Sequence, residues 1–305
     1  MEIIRLTNKE AYKSAEKVIG VIGQFDGLHI GHLALIEEAK SLAKTDQAKV
    51  AVMTFDPHPD FILRKRPNMG YITPLKEKLN LLENIGVDKV IIIHFDEILA
   101  RTEPEDFFNQ YLSSLYAIVV GEDYHYGYKG QGNVGSLQAS GKKIIVVPEK
   151  KYHDVKIGSE QIRSLLMEGK VEIIEQLLHR NYNISGIVRH GSKIGRTLGI
   201  KTANIDLEDD YQVMKKGVYG VLIHYNNRTW QGIGNIGNNP SLNYIPRMRL
   251  EVHLFDFDED LYGKIISVDF LFFVREELIF ADKEDLILQI KKDVMEVKRR
   301  FANET

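Results

Sequence analysis

The sequence predicts an α/β doubly wound parallel sheet in its amino-terminal portion, followed by a small antiparallel β-barrel with a C-terminal helix. Three observations predict it. Near-continuous Val and Ile runs alternate with helix-like stretches through about residue 180, the pattern of strands covered on both faces. After Tyr182 the texture changes to short alternating strands punctuated by glycine turns, as in a closed antiparallel barrel. From Asp282 to Phe301, the residues Leu286, Ile287, Ile290, Val294 and Val297 share one helical face with charges opposite, which predicts an amphipathic helix on that barrel. With 305 residues, 44% of them hydrophobic, the chain can bury two cores, and two domains are expected, 1–182 and 183–305.

In order along the chain, Val18–Ile22 reads as the first strand and the stretch to Ala43 as its helix. Strand Lys49–Phe55, helix Pro74–Ile85, strand Lys89–His94, helix Glu103–Leu115, and strands Ala117–Val120 and Lys143–Val147 follow. A helix from about Glu160 to Glu168 closes this half. The barrel strands are expected at Ser185–Arg189, Gly217–His224, Thr229–Ile236, Arg249–Phe255 and Lys264–Phe273. Asp282-Lys283-Glu284-Asp285 supplies a cap and an acidic first turn for the last helix, and Lys298-Arg299-Arg300 suits its other end.

Composition narrows the function classes. A formal net charge of −3 with interspersed signs gives no footprint for nucleic acid. No apolar run approaches the ~20 residues a membrane span requires, and the amino terminus lacks a signal pattern. With no Cys, a cytoplasmic enzyme is expected. Oligomeric state is left open, a homo-oligomer included.

The strongest motif is Gly23-Gln24-Phe25-Asp26-Gly27-Leu28-His29-Ile30-Gly31-His32, a strand that breaks at glycines and delivers two histidines onto a helix start. Backbone N–H groups there favour a phosphate, and His29 and His32 can donate to oxygens of one polyphosphate near neutral pH. The alternative is a His29 packed in a turn with His32 capping or decorating the helix. Metal ligation by the pair is rejected, because no third ligand lies nearby. Phe55-Asp56-Pro57-His58-Pro59 leaves the next strand and holds His58 in a stiff turn. Gly121–Gly127 offers an acid and the two aromatic planes Tyr124 and Tyr126, suited to stacking on a planar ring. Ile157-Gly158-Ser159 forms a small-residue helix start suited to an anion, and Arg163 follows it.

A second constellation runs from Gly186 to Asn204. It is not a P-loop, because the required order is missing and no helix follows. Its glycines with Lys193 and Arg196 read as a second phosphate site. Thr202 and Asn204, two apart, could on a strand jointly hold hydrated magnesium against phosphate, a glycine-rich hairpin with a surface threonine being the alternative.

Taken together, the two halves resemble the bacterial bifunctional riboflavin kinase and FAD synthetase family over nearly the full length. Phe25, Asp26, Gly27, His29, Gly31 and His32 match the signature of its nucleotidyltransferase domain. Phe55–Pro59 and Gly121, Asp123 and Tyr124 match two further motifs. In the second half, Gly191, Gly195, Arg196, Leu198, Gly199, Thr202, Ala203 and Asn204 match the kinase signature, with Gly217-Val218-Tyr219, Asn235-Ile236-Gly237, Leu250–His253, Leu261-Tyr262-Gly263, Arg275, Glu277 and Phe280 in family order. The resemblance implies two ATP-dependent activities: phosphorylation of riboflavin to FMN by the C-terminal domain, and adenylylation of FMN to FAD by the N-terminal one. It implies Glu251 as the base for the riboflavin hydroxyl, with an ordinary surface carboxylate as the alternative, and Thr202 and Asn204 as holders of Mg2+. It also implies His29 and His32 at the ATP phosphates, and nucleotide or flavin contacts from Gly23, Phe25, Asp26, Gly27, Gly31, His58, Asp123, Ser159, Arg163, Gly191, Lys193, Gly195, Arg196 and Arg275.

Several positions depart from the family pattern. Gly158 and Glu160 replace a serine and a threonine in the phosphate motif, and His125 replaces an arginine. Lys201 replaces a proline, and Ser241 a threonine. The lost contact and added repulsion at Glu160 together amount to a few kcal/mol, each ~1.4 kcal/mol being a factor of ten. Adenylyl transfer is therefore expected to be the weaker activity. A paralogue that acts as a kinase only, or as a flavin or nucleotide sensor, is the alternative. A nucleotidyltransferase for a pyridine nucleotide precursor would explain the first half alone.

Overall fold

The computed structural model describes residues 1–63, 69–189, 202–238 and 248–303. By compactness the chain divides into one unit of Met1–Met69 with Thr73–Ser159 and a second of Gly70–Ile72 with Glu160–Thr305.

The first unit holds strands β1 (Glu2–Leu6), β2 (Val18–Ile22), β3 (Lys49–Asp56), β4 (Lys89–His94) and β5 (Ala117–Gly121). The hairpin β6 (His125–Tyr126) and β7 (Gly132–Asn133), then β8 (Lys143–Val147) and the hairpin β9 (Lys151–Tyr152) and β10 (Val155–Lys156) follow. Six of these form one sheet in the order β1-β4-β3-β2-β5-β8, every pair parallel. The Val and Ile runs explain it. Val18 and Ile22 of β2 join one buried cluster, with Met53, Ile91 and Ile118, while Ile19 and Val21 join the other, with Val52, Val90 and Val119. Successive side chains thus enter cores on opposite faces, as period-two geometry requires of a doubly covered strand. Each such side chain contributes about 1.5–3 kcal/mol by leaving water.

Helix α1 (Ile30–Asp46) covers one face through Leu35, Ile36, Ala39 and Ala43. The short α2 (Pro59–Ile62) and then α3 (Leu75–Ile85) follow β3. The stretch expected as one helix over 103–115 is instead a single α turn, α4 (Pro104–Phe107), running into a π-helical turn, Phe108–Leu112. Its Gln110 carbonyl accepts from the Tyr12 N–H at 2.9 Å, and its Gln110 amide donates to the carbonyls of Asn8 and Glu10. Tertiary ties thus occupy this turn, a common setting for a widened helix. The one-turn helix α5 (Val134–Ala139) precedes β8.

The second unit opens with α6 (Ser159–Glu168), whose first residue belongs to the first unit, and α7 (Val171–Leu178). Six strands follow: β11 (Tyr182–Arg189), β12 (Ala203–Leu207), β13 (Gly217–Tyr225), β14 (Arg228–Asn238), β15 (Met248–Leu254) and β16 (Ile265–Arg275). They close an antiparallel barrel in the order β11-β12-β15-β14-β13-β16. Alternation sorts its faces: Leu250, Val252 and Leu254 are buried while Arg249, Glu251 and His253 stay partly exposed. Helix α8 (Lys283–Asn303) packs Val297 and Phe301 on Phe255 and Phe272. The parallel sheet, the antiparallel barrel and the final helix are those the sequence predicts, while β1, α7 and β12 are additions. No helix among the described residues is long and apolar enough to cross a membrane.

Candidate active sites

From β2 the chain steps outward through β3 and β4, then returns to β5 on the other side of β2, so the crevice beside β2 is a topological switch point, where open α/β sheets bind ligands. Adjacent strands β3, β2 and β5 each end in one of the motifs singled out above.

After β2, Phe25 (φ 52°), Gly27 (φ 88°) and Leu28 (φ 45°) adopt left-handed backbone. Only burial of both apolar side chains makes such a turn tolerable for non-glycine residues. The Phe25 ring lies over Gly23, where a Cβ would approach within 3.3 Å. Asp26 is fully buried; its carboxylate accepts from the Thr73 N–H at 3.0 Å, and its carbonyl accepts from the Ser159 hydroxyl at 2.8 Å. His29 is the N-cap of α1, and its Nδ1 accepts from the His32 N–H at 3.3 Å. Accepting through Nδ1 leaves the proton of the neutral ring on Nε2. The two imidazoles stack, 3.7 Å apart and 19° from parallel. A Cβ at Gly31 would come within 3.0 Å of His29 Nδ1, so the stacked pair requires glycine there. The first turn of α1 carries no acid, which keeps its amino end receptive to an anion. Capping and ligand holding therefore coexist in His29.

The β2 and β3 exits are laced together through Gln24. Its side-chain amide donates to the Phe55 carbonyl at 3.2 Å, and its own carbonyl accepts from Thr54 Oγ1 at 2.9 Å and from Lys78 Nζ at 2.8 Å. Lys78 reaches this point from α3 and is 2% exposed. His58 caps α2, accepting from the Asp60 N–H at 3.1 Å. After β5, Asp123 is ion-paired with Lys156, which also pairs with Glu149. The expectation that Tyr124 and Tyr126 would both face a ligand ring is corrected: they stack on each other, Tyr126 lies in the core, and Tyr124 packs against it. Burial holds the Tyr124 phenol well above its usual range, so it stays neutral. Arg163 is buried and donates to the Gly70 carbonyl at 3.2 Å, both in the second unit. Glu160 is exposed in the first turn of α6.

On the barrel, register places Arg189 opposite Asn204, Asn204 opposite Glu251, and Glu251 opposite Asn235. Paired residues share a face, so four polar side chains form one row across adjacent strands. Arg249, two residues before Glu251 on the same face, donates from Nη2 to its Oε1 at 3.0 Å. Glu277 lies over Gly237, where a Cβ would meet its Oε1 at 2.8 Å. Thr202 is exposed one residue before β12. Arg275 is gripped by the buried Asp293 of α8 through Nε at 2.9 Å and Nη2 at 2.6 Å. Gly191, Lys193, Gly195, Arg196, Lys201 and Ser241 lie outside the described residues. Sequence reasoning missed Gln24, Thr54 and Lys78 in the first unit, and Arg249 and Asp293 in the second. Arg249 alone carried a signal, since alternation puts it on the face of Glu251.

A model of the FAD synthetase family matches residues 11–164, and a model of the riboflavin kinase family matches residues 178–301. The bifunctional riboflavin kinase/FMN adenylyltransferase of Bacillus subtilis is 37% identical over 314 residues, covering 99% of both chains. That of Listeria monocytogenes is 37% identical over 287 residues, 92% of this chain and 91% of the relative. A crystal structure described as a macrolide-efflux protein from Streptococcus pneumoniae superposes with a TM-score of 0.89 at 29% identity, covering 98% of this chain and 99% of that one.

Proposed function

The chain belongs to the bifunctional riboflavin kinase/FMN adenylyltransferase family and is an enzyme of both activities, and we propose how its own residues divide and perform the two reactions. Residues 1–182 carry adenylyl transfer and residues 183–305 carry phosphorylation. The stretches matched by the two family models lie on either side of this division, and the first barrel strand begins at Tyr182.

In phosphorylation, the ribityl 5'-hydroxyl of riboflavin attacks the γ-phosphorus of ATP, the new O–P bond forms, the bridging P–O bond breaks, and ADP leaves. Glu251 takes the hydroxyl proton. Asn204 and Asn235 flank it from the neighbouring strands and Arg249 fixes its carboxylate, so the base is presented by three strands of a rigid barrel. Thr202 and Asn204 supply neutral oxygens beside that carboxylate, a donor set that fits Mg2+, which prefers oxygen ligands and keeps waters and phosphates as its others. When bound, Mg2+ neutralises phosphate charge. Gly191, Lys193, Gly195 and Arg196 are assigned to the nucleotide by resemblance. The tie to Asp293 assigns Arg275 a positioning role between barrel and helix, short of direct flavin contact.

In adenylyl transfer, an FMN phosphate oxygen attacks the α-phosphorus of ATP and pyrophosphate leaves, so no protein nucleophile is needed. His29 and His32 donate to the ATP phosphates above the open end of α1, with Gly23, Phe25, Asp26, Gly27 and Gly31 shaping the loop. Ser159 braces that loop through the Asp26 carbonyl. His58 and Asp123 stand at the neighbouring strand exits, and Arg163 is assigned phosphate contact by resemblance. A cytoplasmic location and the absence of a nucleic-acid partner belong to the same proposal. The observation that carries it is the capped, stacked histidine pair at the switch point in one unit with the Asn204–Glu251–Asn235 row in the other. Purified protein with riboflavin, ATP and Mg2+ should yield FMN and ADP, then FAD and pyrophosphate. A correctly folded sample that leaves riboflavin unphosphorylated contradicts the kinase assignment.

A further inference from the structure

Lys78 is the one buried titratable group beneath the signature loop that neither reaction uses. Its ammonium enters from α3, is 2% exposed, and donates to the Gln24 carbonyl at 2.8 Å with Thr54 Oγ1 at 3.5 Å. Gln24 immediately precedes the left-handed Phe25, and its carbonyl takes a second hydrogen bond from Thr54. A main-chain carbonyl that accepts two donors from different elements fixes the peptide plane from which the Phe25–His29 turn departs.

We propose that Lys78 is a positioning residue for adenylyl transfer, its buried ammonium pinning the Gln24 carbonyl and so holding the Phe25–His32 loop in the form that grips the ATP phosphates. The inference rests on the assignment of adenylyl transfer to that loop. A neutral hydrophobic residue would fill the space as well as Lys78 does, and a buried charge costs free energy unless a specific contact is gained. The charged groups that face it are Asp26 from the loop and Asp56 at the end of β3. Burial lowers the Lys78 pKa to about 8, the two carboxylates opposing that fall.

The proposal makes adenylyl transfer pH-dependent in a way that stability is not. As pH rises through about 8, the ammonium loses its proton and one of its donors, and the loop loosens. The stability contribution has the opposite sign: the folded protein releases this proton at a lower pH than the unfolded chain does, so stability from this group rises between about pH 8 and its ordinary value of 10.5. The phosphates of both substrates are already ionised above neutrality, so they add no limb in this range.

The test is FAD formation from FMN, ATP and Mg2+ between pH 7 and 10, with riboflavin phosphorylation by the same sample as the internal control and thermal unfolding recorded in parallel. The unsubstituted enzyme should lose adenylyl transfer with a midpoint near pH 8 while it remains folded. Lys78→Met should reduce kcat for FAD formation by about tenfold at pH 7 with a smaller change in KM for FMN, abolish the limb near pH 8, and leave phosphorylation at its normal rate. A flat adenylyl profile in the unsubstituted enzyme, which needs no variant to fold, overturns the assignment. So does a Lys78→Met protein with a normal rate or a persisting limb. No FAD at any pH from a sample that still phosphorylates riboflavin overturns the reading of the loop itself, a different outcome from either.

Discussion

A carboxylate and an asparagine that meet only through strand pairing make Glu251 the residue on which phosphorylation turns. Glu251→Gln keeps the shape and the hydrogen bond to Arg249 but removes the proton acceptor. Riboflavin phosphorylation should fall by about 10²–10⁴-fold, measured as ADP release, while adenylylation of supplied FMN continues. The residues that touch substrate were legible in the sequence because chemistry restricts them to a few types at fixed spacing, as at His29 and His32. The residues that hold them were not. Gln24 acts through its carbonyl, which any residue possesses, and Lys78 lies some fifty positions away on a helix whose pattern gives no reason for a buried charge. Asp293 looked like one more charge on the polar face of an amphipathic helix, yet it is buried against Arg275.

Two helices carry the element-scale expectations. In α6, the Glu160 carboxylate stabilises its own first turn through the helix dipole but repels a phosphate brought to the same end. Glu160→Thr should raise kcat/KM for ATP in adenylyl transfer several-fold at low salt, the gain shrinking as salt screens the exposed charge. An unchanged rate would show that this helix end does not see the nucleotide. Helix α8 is tied to the barrel by the Arg275–Asp293 pair, with Gln289 donating to Asp293 at 2.8 Å. Asp293→Ala leaves a guanidinium without its partner, and unfolding of the second unit should weaken by about 3 kcal/mol in denaturant. A loss below 1 kcal/mol would mean that the apolar contacts of Val297 and Phe301 hold the helix alone. Strands such as Lys89–His94 and Lys143–Val147 were readable to the residue because both faces are buried, which writes a continuous apolar run. Strand β1 escaped because an edge position exposes Glu2 and Ile3, and the π turn at Phe108–Leu112 escaped because its cause, the contacts with residues 8–12, is remote in sequence.

Across the whole molecule, the central claim is that one chain carries two separate ATP-dependent phosphate sites, a sheet-rim site and a barrel site. The change of texture after Tyr182 announced two architectures, and the order of the motifs announced two chemistries. The glycine-rich loop from His190 to Lys201 lies outside the described residues, so its share of the second site rests on its sequence. The most direct measurement separates the two reactions in one chain: His29→Ala and Glu251→Gln proteins, each supplied with ATP and Mg2+ and either riboflavin or FMN, with products followed by chromatography. His29→Ala should convert riboflavin to FMN and stop there, whereas Glu251→Gln should leave riboflavin untouched yet convert FMN to FAD. If either substitution abolished both reactions in a folded protein, or neither affected its own, the two-site account would be contradicted.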